Sequence, residues 1–397
     1  MEQELKLTAI NPFAVAEQVL GKKVKWDELE DQEESLAGVF NVPKEELFAH
    51  DSVIINPMLS AKGELLTREK AQTQLKTYLE AKTVKKLTLK TRSIKQIALK
   101  DISSKTINAV FLESVKSAKN TEWNPANTVW LDKGDYFEDV AELTDPVQGS
   151  LADCYYISAL CSVAWSRPYA IINATSPSRN GNEDSPLHQV PFYNTKGTIE
   201  NVVVGEAVPC SSSTKNILYA SSADSGEIWP AVMEKAYAKW KTGNTTDKPN
   251  FLSIEYGDCV EACRQLIGGT KTYKYTSDMT ASQIATFVRS NSLSRRTFNP
   301  MVAWTPSRQP SGCDYAKAHI VANHAYSILG WVSSNNSYYI VLRNPWGTYH
   351  GVLDCLSGSY SGMLNNNWHC FTYGRNGVFA MKVDTFKKYF SGLGVVK

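Results

Sequence analysis

After Asp153, apolar residues recur at helical spacing. Ile157, Leu160, Cys161 and Ala164 share one face, and Pro168 lies just past the end. The pattern predicts a buried helix that begins at Cys154. Farther along, residues 323–331 and 337–344 have strand composition, and Ser333, Ser334, Asn335 and Asn336 between them form a turn cluster. A hairpin turning about Ser334 pairs positions whose numbers sum to 668, which sets His324 opposite Asn344. Opposed residues hold their Cβ atoms roughly 4.5–5.5 Å apart on one face, and a slip of one residue would part them.

Residues 1–120 read as a separate, mainly helical unit. Asn11, Pro12 and Gly21 have the form of a cap, a first-turn proline and a terminating glycine. Thr67 is placed to cap a helix with Ala71, Leu75, Tyr78 and Leu79 on one face, and Ser103 or Ser104 to open another. The basic stretch from Lys85 to Lys100 alternates with Leu87, Leu89, Ile94 and Ile97, so a solvated face of a half-buried element is expected rather than a nucleic-acid site. From Trp123 onward tryptophan, tyrosine and glycine rise. Residues 173–189 and 357–367 are polar and read as surface loops.

With 397 residues, two or three units and a well-buried core are expected. A net charge of +2 gives no global attraction to nucleic acid or an anionic membrane. The eight cysteines are too sparse for a small disulfide scaffold, and reduced thiols in the cytoplasm are the expectation. Neither a signal peptide nor a membrane-spanning run is visible.

Cys154 therefore opens a helix, where unpaired N–H groups and the dipole favour a thiolate. Cys161, two turns on, is expected to be plain core. Of the six histidines, His324 has Asn344 at hairpin register, and His319 has no such partner. Asn344 can orient the imidazole, Pro345 ends the ladder, and Trp346 can shield the pair from water. Cys259 and Cys263 have a spacing that fits one helical face; burial is favoured over zinc because no second pair follows.

These segments form a family pattern. QGSLADC (148–154), GEIWPAVMEKAYAKWKTG (226–243), HAYSILGW (324–331) and LRNPWG (342–347) resemble the corresponding segments of calpains. The resemblance covers 145–347 and not the first 120 residues, and no EF-hand loop is present. It implies an α+β, papain-like two-lobed cysteine protease core. Residues 121–270 would form a helical lobe with the nucleophile, and 271–397 a β-rich lobe with the histidine and asparagine. It also implies that Gln148 assists the oxyanion hole. Ala152 stands where the family has glycine, and Tyr155 where it usually has tryptophan, a change at the cleft floor.

The expected function is endopeptidase cleavage of protein substrates by Cys154, His324, Asn344 and Gln148. An acyl-transferase or deamidase with the same side chains, or a scaffold without activity, are the alternatives. No cofactor is needed for this chemistry. The resemblance further implies one regulatory calcium site, in the first lobe, through Asp145 and Glu227. In the second lobe His350 and Ser357 replace acidic ligands and would not hold calcium. The N-terminal unit lies where a propeptide would, and a regulatory role is the expectation for it.

Overall fold

The computed structural model describes Leu7, Asn11, Ala14 and residues 121–397 apart from 126–127, 139, 173–175, 179–186 and 365–366. Of the helices expected before residue 120, only Asn11 and Ala14 are described, with Ala14 helical; the rest of them lies outside the described residues. The helix expected at Cys154 is present as α1, Cys154–Ser166. Every residue of it is buried, so it has no solvent face to read.

Two further helices pack near it. α2, Trp229–Thr242, has Pro230 in its first turn and ends on Gly243, whose left-handed φ of 59° lets its N–H return to Lys239 and Trp240. α3, Cys259–Ile267, is capped by the Asp258 carboxylate, which accepts from the N–H groups of Val260 and Glu261. Cys259 and Cys263 are both buried in its apolar face. The segment before residue 270 is not wholly helical. Small sheets of two, two and three strands flank the helices. One of them pairs Ser176–Ser178 with the start of Leu187–Tyr193, inside the stretch expected to be loop.

Residues 271–397 build an antiparallel sheet. Six of its eight strands are β1 (Lys271–Tyr275), β2 (Met301–Trp304), β3 (Ala325–Ser334), β4 (Ser337–Arg343), β5 (Val378–Lys382) and β6 (Gly392–Val396), in the order β5-β4-β3-β2-β6-β1; the short strands Ser292–Leu293 and Arg296–Thr297 branch off β3. α4 (Ala281–Ser290) and α5 (Val383–Tyr389) cover one face through Ile284, Val288 and Phe386. The stretch 357–367 is also a correction. It belongs to a hairpin of Ser359–Leu364 with Asn367–Thr372, whose Tyr360 is buried and donates to the Arg295 carbonyl at 2.8 Å. A polar sequence can still pair its backbone when one aromatic residue anchors it.

α1 lies along β2 and β3 through polar contacts spaced a turn apart. Ser327 Oγ donates to Ser158 O at 2.7 Å, Ser162 Oγ to Met301 O at 2.8 Å, and Trp165 Nε1 to Leu329 O at 2.7 Å. Each such bond contributes about 0.5–1.5 kcal/mol net, and more is lost if one buried partner is removed. They also fix the helix axially, which apolar packing alone does less well.

Candidate active site

Cys154 is the first residue of α1 and is fully buried. It shares an apolar cluster with Ala325 and Trp346, one residue past His324 and two past Asn344. His324 directly precedes β3 and Asn344 directly follows β4. His324 Nε2 lies 2.8 Å from Asn344 Oδ1. The carboxamide oxygen can only accept, so Nε2 carries the proton and Nδ1 is left as the basic nitrogen. Nδ1 is buried and has no hydrogen-bond partner among the described residues.

The expected pair is thus in contact, but by a different register. The turn residues are Asn335 and Asn336, with φ of 46° and 57°. Both are left-handed, which asparagine tolerates and which suits a two-residue hairpin turn. Ser334 pairs Ser337, Trp331 pairs Ile340, and these numbers sum to 671. That odd sum alone would set His324 and Asn344 on opposite faces. A bulge between Ile328 and Gly330 removes one step, so that Ser327 pairs Arg343 and the sum becomes 670. The bulge restores the parity, and the contact spans a diagonal beyond the ladder's end.

Backbone clips hold both side chains. His324 N donates to Thr305 Oγ1 at 3.0 Å, and Thr305 N returns a bond to His324 O at 3.0 Å. Asn344 N donates to Gly377 O at 3.0 Å, and its Oδ1 also accepts from Trp346 N at 3.1 Å. The Trp346 and Tyr326 rings stand 5.0 and 4.9 Å from the imidazole. Burial pushes the His324 pKa down to about 3, against a smaller opposing effect of the Asn344 bond. The covered imidazole is therefore neutral. His319 instead ends a short helix and stacks on Tyr349.

Gln148 is fully buried, and its Nε2 donates to Leu151 O at 2.6 Å. Its main-chain N–H donates to Pro345 O at 2.9 Å, which ties the segment before Cys154 to the residue after Asn344. Arg343 makes a second tie, missed in the sequence. Its guanidinium donates to Thr144 O at 2.8 Å and Pro146 O at 2.9 Å, and reaches Cys161 Sγ at 2.6 Å. Cys161 is thus more than core filling, although burial still raises its pKa.

Between Thr144 and Pro146 lies Asp145, and its carboxylate meets those of Glu227 and Asp224 with oxygens within 4.8 Å. Asp224 was not expected; its only sequence signal is a turn-like setting three residues before Glu227. Asp145 Oδ2 accepts from Glu142 N and Trp229 Nε1, while Oδ1 is buried with no hydrogen-bond partner among the described residues. Burial, with Glu227 beside it, raises the Asp145 pKa to about 7. Clustered carboxylates with one oxygen unengaged fit a hard divalent cation.

Comparison with known proteins decides the family. The calpain family cysteine protease profile matches residues 101–397. The chain belongs to the calpain family of cysteine proteases. It is 30% identical to a thiol protease of Porphyromonas gingivalis (strain ATCC BAA-308 / W83) over 62% of this chain and 53% of that one. It is 28% identical to the calpain-type cysteine protease DEK1 of Zea mays over 64% of this chain and 11% of that one. To human calpain-9 it is 24% identical over 63% and 36%. The match spans about half the length of the bacterial relative and far less of the plant protein. Among the described residues of this calpain-family chain, no helix is long and apolar enough to cross a membrane.

Proposed function

We propose that the chain is a cysteine endopeptidase acting on protein substrates, with a papain-like core of two lobes that meet at Cys154. The observation that carries this reading is the 2.8 Å contact of His324 Nε2 with Asn344 Oδ1, which leaves Nδ1 as the basic nitrogen, with Cys154 at a helix start in the apolar cluster that includes Ala325. His324 Nδ1 takes the Cys154 proton, and the thiolate adds to the scissile carbonyl carbon. The Cys154 N–H and the Gln148 amide hold the oxyanion, each donor contributing roughly 2.7–4 kcal/mol. The tetrahedral adduct then collapses, the C–N bond breaks, and the imidazolium gives its proton to the leaving amine. His324 next takes a proton from water, whose oxygen displaces the thiolate from the acyl group. Asn344 keeps the imidazole in the tautomer these steps need. The neutral imidazole of the covered site becomes cationic when the cleft opens to substrate and water.

Calcium at Asp145, Asp224 and Glu227 is proposed as a regulator that neutralises the acidic cluster. Arg343 would pass its order to the strand that carries Asn344. The experiment is digestion of denatured casein by wild type and Cys154→Ala, with calcium or chelator. Loss of all cleavage and of epoxide labelling in Cys154→Ala is expected. Cleavage that survives in Cys154→Ala but not in Cys161→Ala would overturn the assignment. A gain of one mass unit on substrate glutamine, without chain scission, would replace peptidase by deamidase.

A further inference from the structure

A groove of about 690 Å³ adjoins the His324 side of the site. Main-chain bonds tie its walls together. Ser391 N donates to Trp304 O at 2.9 Å, Thr276 N to Ser391 O at 3.0 Å, and Asn323 N to Pro306 O at 2.7 Å. Thr276 Oγ1 also donates to Phe390 O at 2.5 Å. Asn323 and Thr305 both line the groove. The first directly precedes His324, and the second accepts from His324 N. Trp304 lines it too, pairs with Ala325 across the sheet, and shares the apolar cluster of Cys154.

Floor and rim differ in chemistry. Trp304 and Phe390 are buried in the floor. Tyr275, 38% exposed, meets Trp304 edge-on with ring centroids 6.0 Å apart. The rim carries Arg308, Lys387 and Lys388. Arg308 stands on the loop after β2, and the lysines stand in the last turn of α5. Loop and helix end are tied, since Cys313 Sγ lies 3.6 Å from Lys388 O and Asp314 N donates to Tyr389 Oη at 3.2 Å. No carboxylate lines the groove, so three cations gather there in a chain whose net charge is only +2. None of the three is in an ion pair among the described residues. The neighbouring acids are placed otherwise. Asp314 accepts from Lys317 N to cap a short helix, and Asp278 accepts from Ser277 Oγ. Asp384 is exposed one turn before the lysines and outside the lining.

We infer that this groove selects acidic side chains in the polypeptide that is cut. Arg308, Lys387 and Lys388 are its specificity-determining residues, and Tyr275, Trp304 and Phe390 seat an apolar neighbour of the acidic residue. The inference rests on the peptidase reading above for the cut itself. Its volume lies within the range of about 300–1,000 Å³ that pockets use to enclose a ligand. Three like charges over a low-dielectric wall raise the local concentration of anionic groups and repel cationic ones. The guanidinium offers a carboxylate its two-pronged fork, and the lysines add point charges. Each exposed pair is worth only about 2- to 5-fold in affinity, so selectivity comes from the three together. A concave groove admits the side chains of an extended chain, whereas a bilayer meets a flat or convex face.

The test uses the full chain and three short fluorescent peptides, alike except for two central residues set between leucines: two glutamates, two glutamines or two lysines. Binding is read by anisotropy, and cleavage by quenched versions of the same peptides. Wild type is expected to bind the glutamate peptide roughly 5- to 20-fold tighter than the glutamine peptide, and the lysine peptide most weakly. The preference should shrink between about 50 and 300 mM salt. Arg308→Glu combined with Lys388→Glu should reverse the order, so that the lysine peptide binds best, with KM following and kcat on the glutamine peptide unchanged. Tyr275→Ala should weaken all three about 3-fold alike. Equal affinity of wild type for the glutamate and glutamine peptides, or an unreversed order in the double variant at unchanged melting temperature, would overturn the inference. So would binding to anionic lipid vesicles without binding to the glutamate peptide. Cleavage of all three peptides at equal kcat/KM would keep the peptidase reading and overturn the selectivity. Tighter binding of the glutamate peptide, without cleavage of any peptide, would uphold the groove and remove the peptidase reading.

Discussion

Cys154 and the His324–Asn344 pair are placed by unlike means. The cysteine is placed by the start of a single helix that is buried all round and pinned by serines. A local signal, the approach to the helix, decides its position. The pair lies beyond the ends of two strands, and its contact depends on parity carried over twenty residues. A change of one step anywhere in the hairpin would turn one side chain away. A helix tolerates small errors of registry because its faces recur; a strand pair has two faces only.

The largest expected effect breaks the chemistry on the hairpin side. His324→Ala should lower kcat on the order of 10⁴-fold or more, since the base itself is lost. Asn344→Ala should cost less, about 10²-fold, because the imidazole remains and only its orientation is freed. Equal activity in His324→Ala and wild type, measured on casein, would remove His324 from the mechanism. A larger loss in Asn344→Ala than in His324→Ala would reverse their roles.

Next in size is the bulge. A Cβ at Gly330 would meet Arg295 O at 1.9 Å and Tyr360 Oη at 2.4 Å. The first contact is backbone and cannot yield by rotating a side chain. Gly330→Ala should therefore cost about 2–4 kcal/mol of stability, read by urea denaturation. Surviving protein should also lose activity, because the bulge sets the parity of His324. A stable and fully active Gly330→Ala would show that the site does not depend on this bulge.

The sequence displayed the helix, both strands and the turn cluster, and with them Cys154, His324 and Asn344. It did not display the bulge. The expected sum of 668 and the observed 670 share parity, so the contact was foreseen through an inexact register. The bulge falls beside Gly330, whose near neighbours Arg295 and Tyr360 lie far off in sequence. Arg343 and Asp224 were missed for a similar reason. Their partners lie on other segments, and a lone charge in a sequence reads as surface. The polar stretches at 176–178 and 359–364 pair as strands because backbone bonding is indifferent to side-chain polarity.

A third prediction concerns pH. His324 titrates near 6.5 when unfolded and about 3 when folded. Between those values the unfolded chain binds a proton that the folded chain refuses. The buried neutral imidazole thus contributes stability above pH 6.5 that is lost as pH falls toward 3. Over that span each step of one pH unit removes about 1.4 kcal/mol. Between pH 7 and 4.5, His324→Gln should therefore lose roughly 2–3 kcal/mol less than wild type. Parallel stability profiles for wild type and His324→Gln would mean that the imidazole is hydrated in the folded chain.

The smallest expected effect sets one glycine of each region against the other. Gly377 has φ of 74°, and a Cβ there would lie 2.5 Å from Asn344 O. Gly243 has φ of 59° at the end of α2. Alanine is strained at both, by about 1–2 kcal/mol, because its Cβ crowds a carbonyl in the left-handed region. At Gly243 the strain stays local, so Gly243→Ala should lower the melting temperature and leave kcat unchanged. At Gly377 the carbonyl that must move belongs to Asn344, whose N–H is also bonded to Gly377 O. Relief of the clash shifts the orienting carboxamide by some tenths of an ångström. Gly377→Ala should therefore reduce kcat about 10-fold with KM nearly constant, as misplacement of an orienting group does. If both variants lose stability alike and neither loses kcat, the hairpin end is as tolerant as the helix end, and the contrast between the two regions fails.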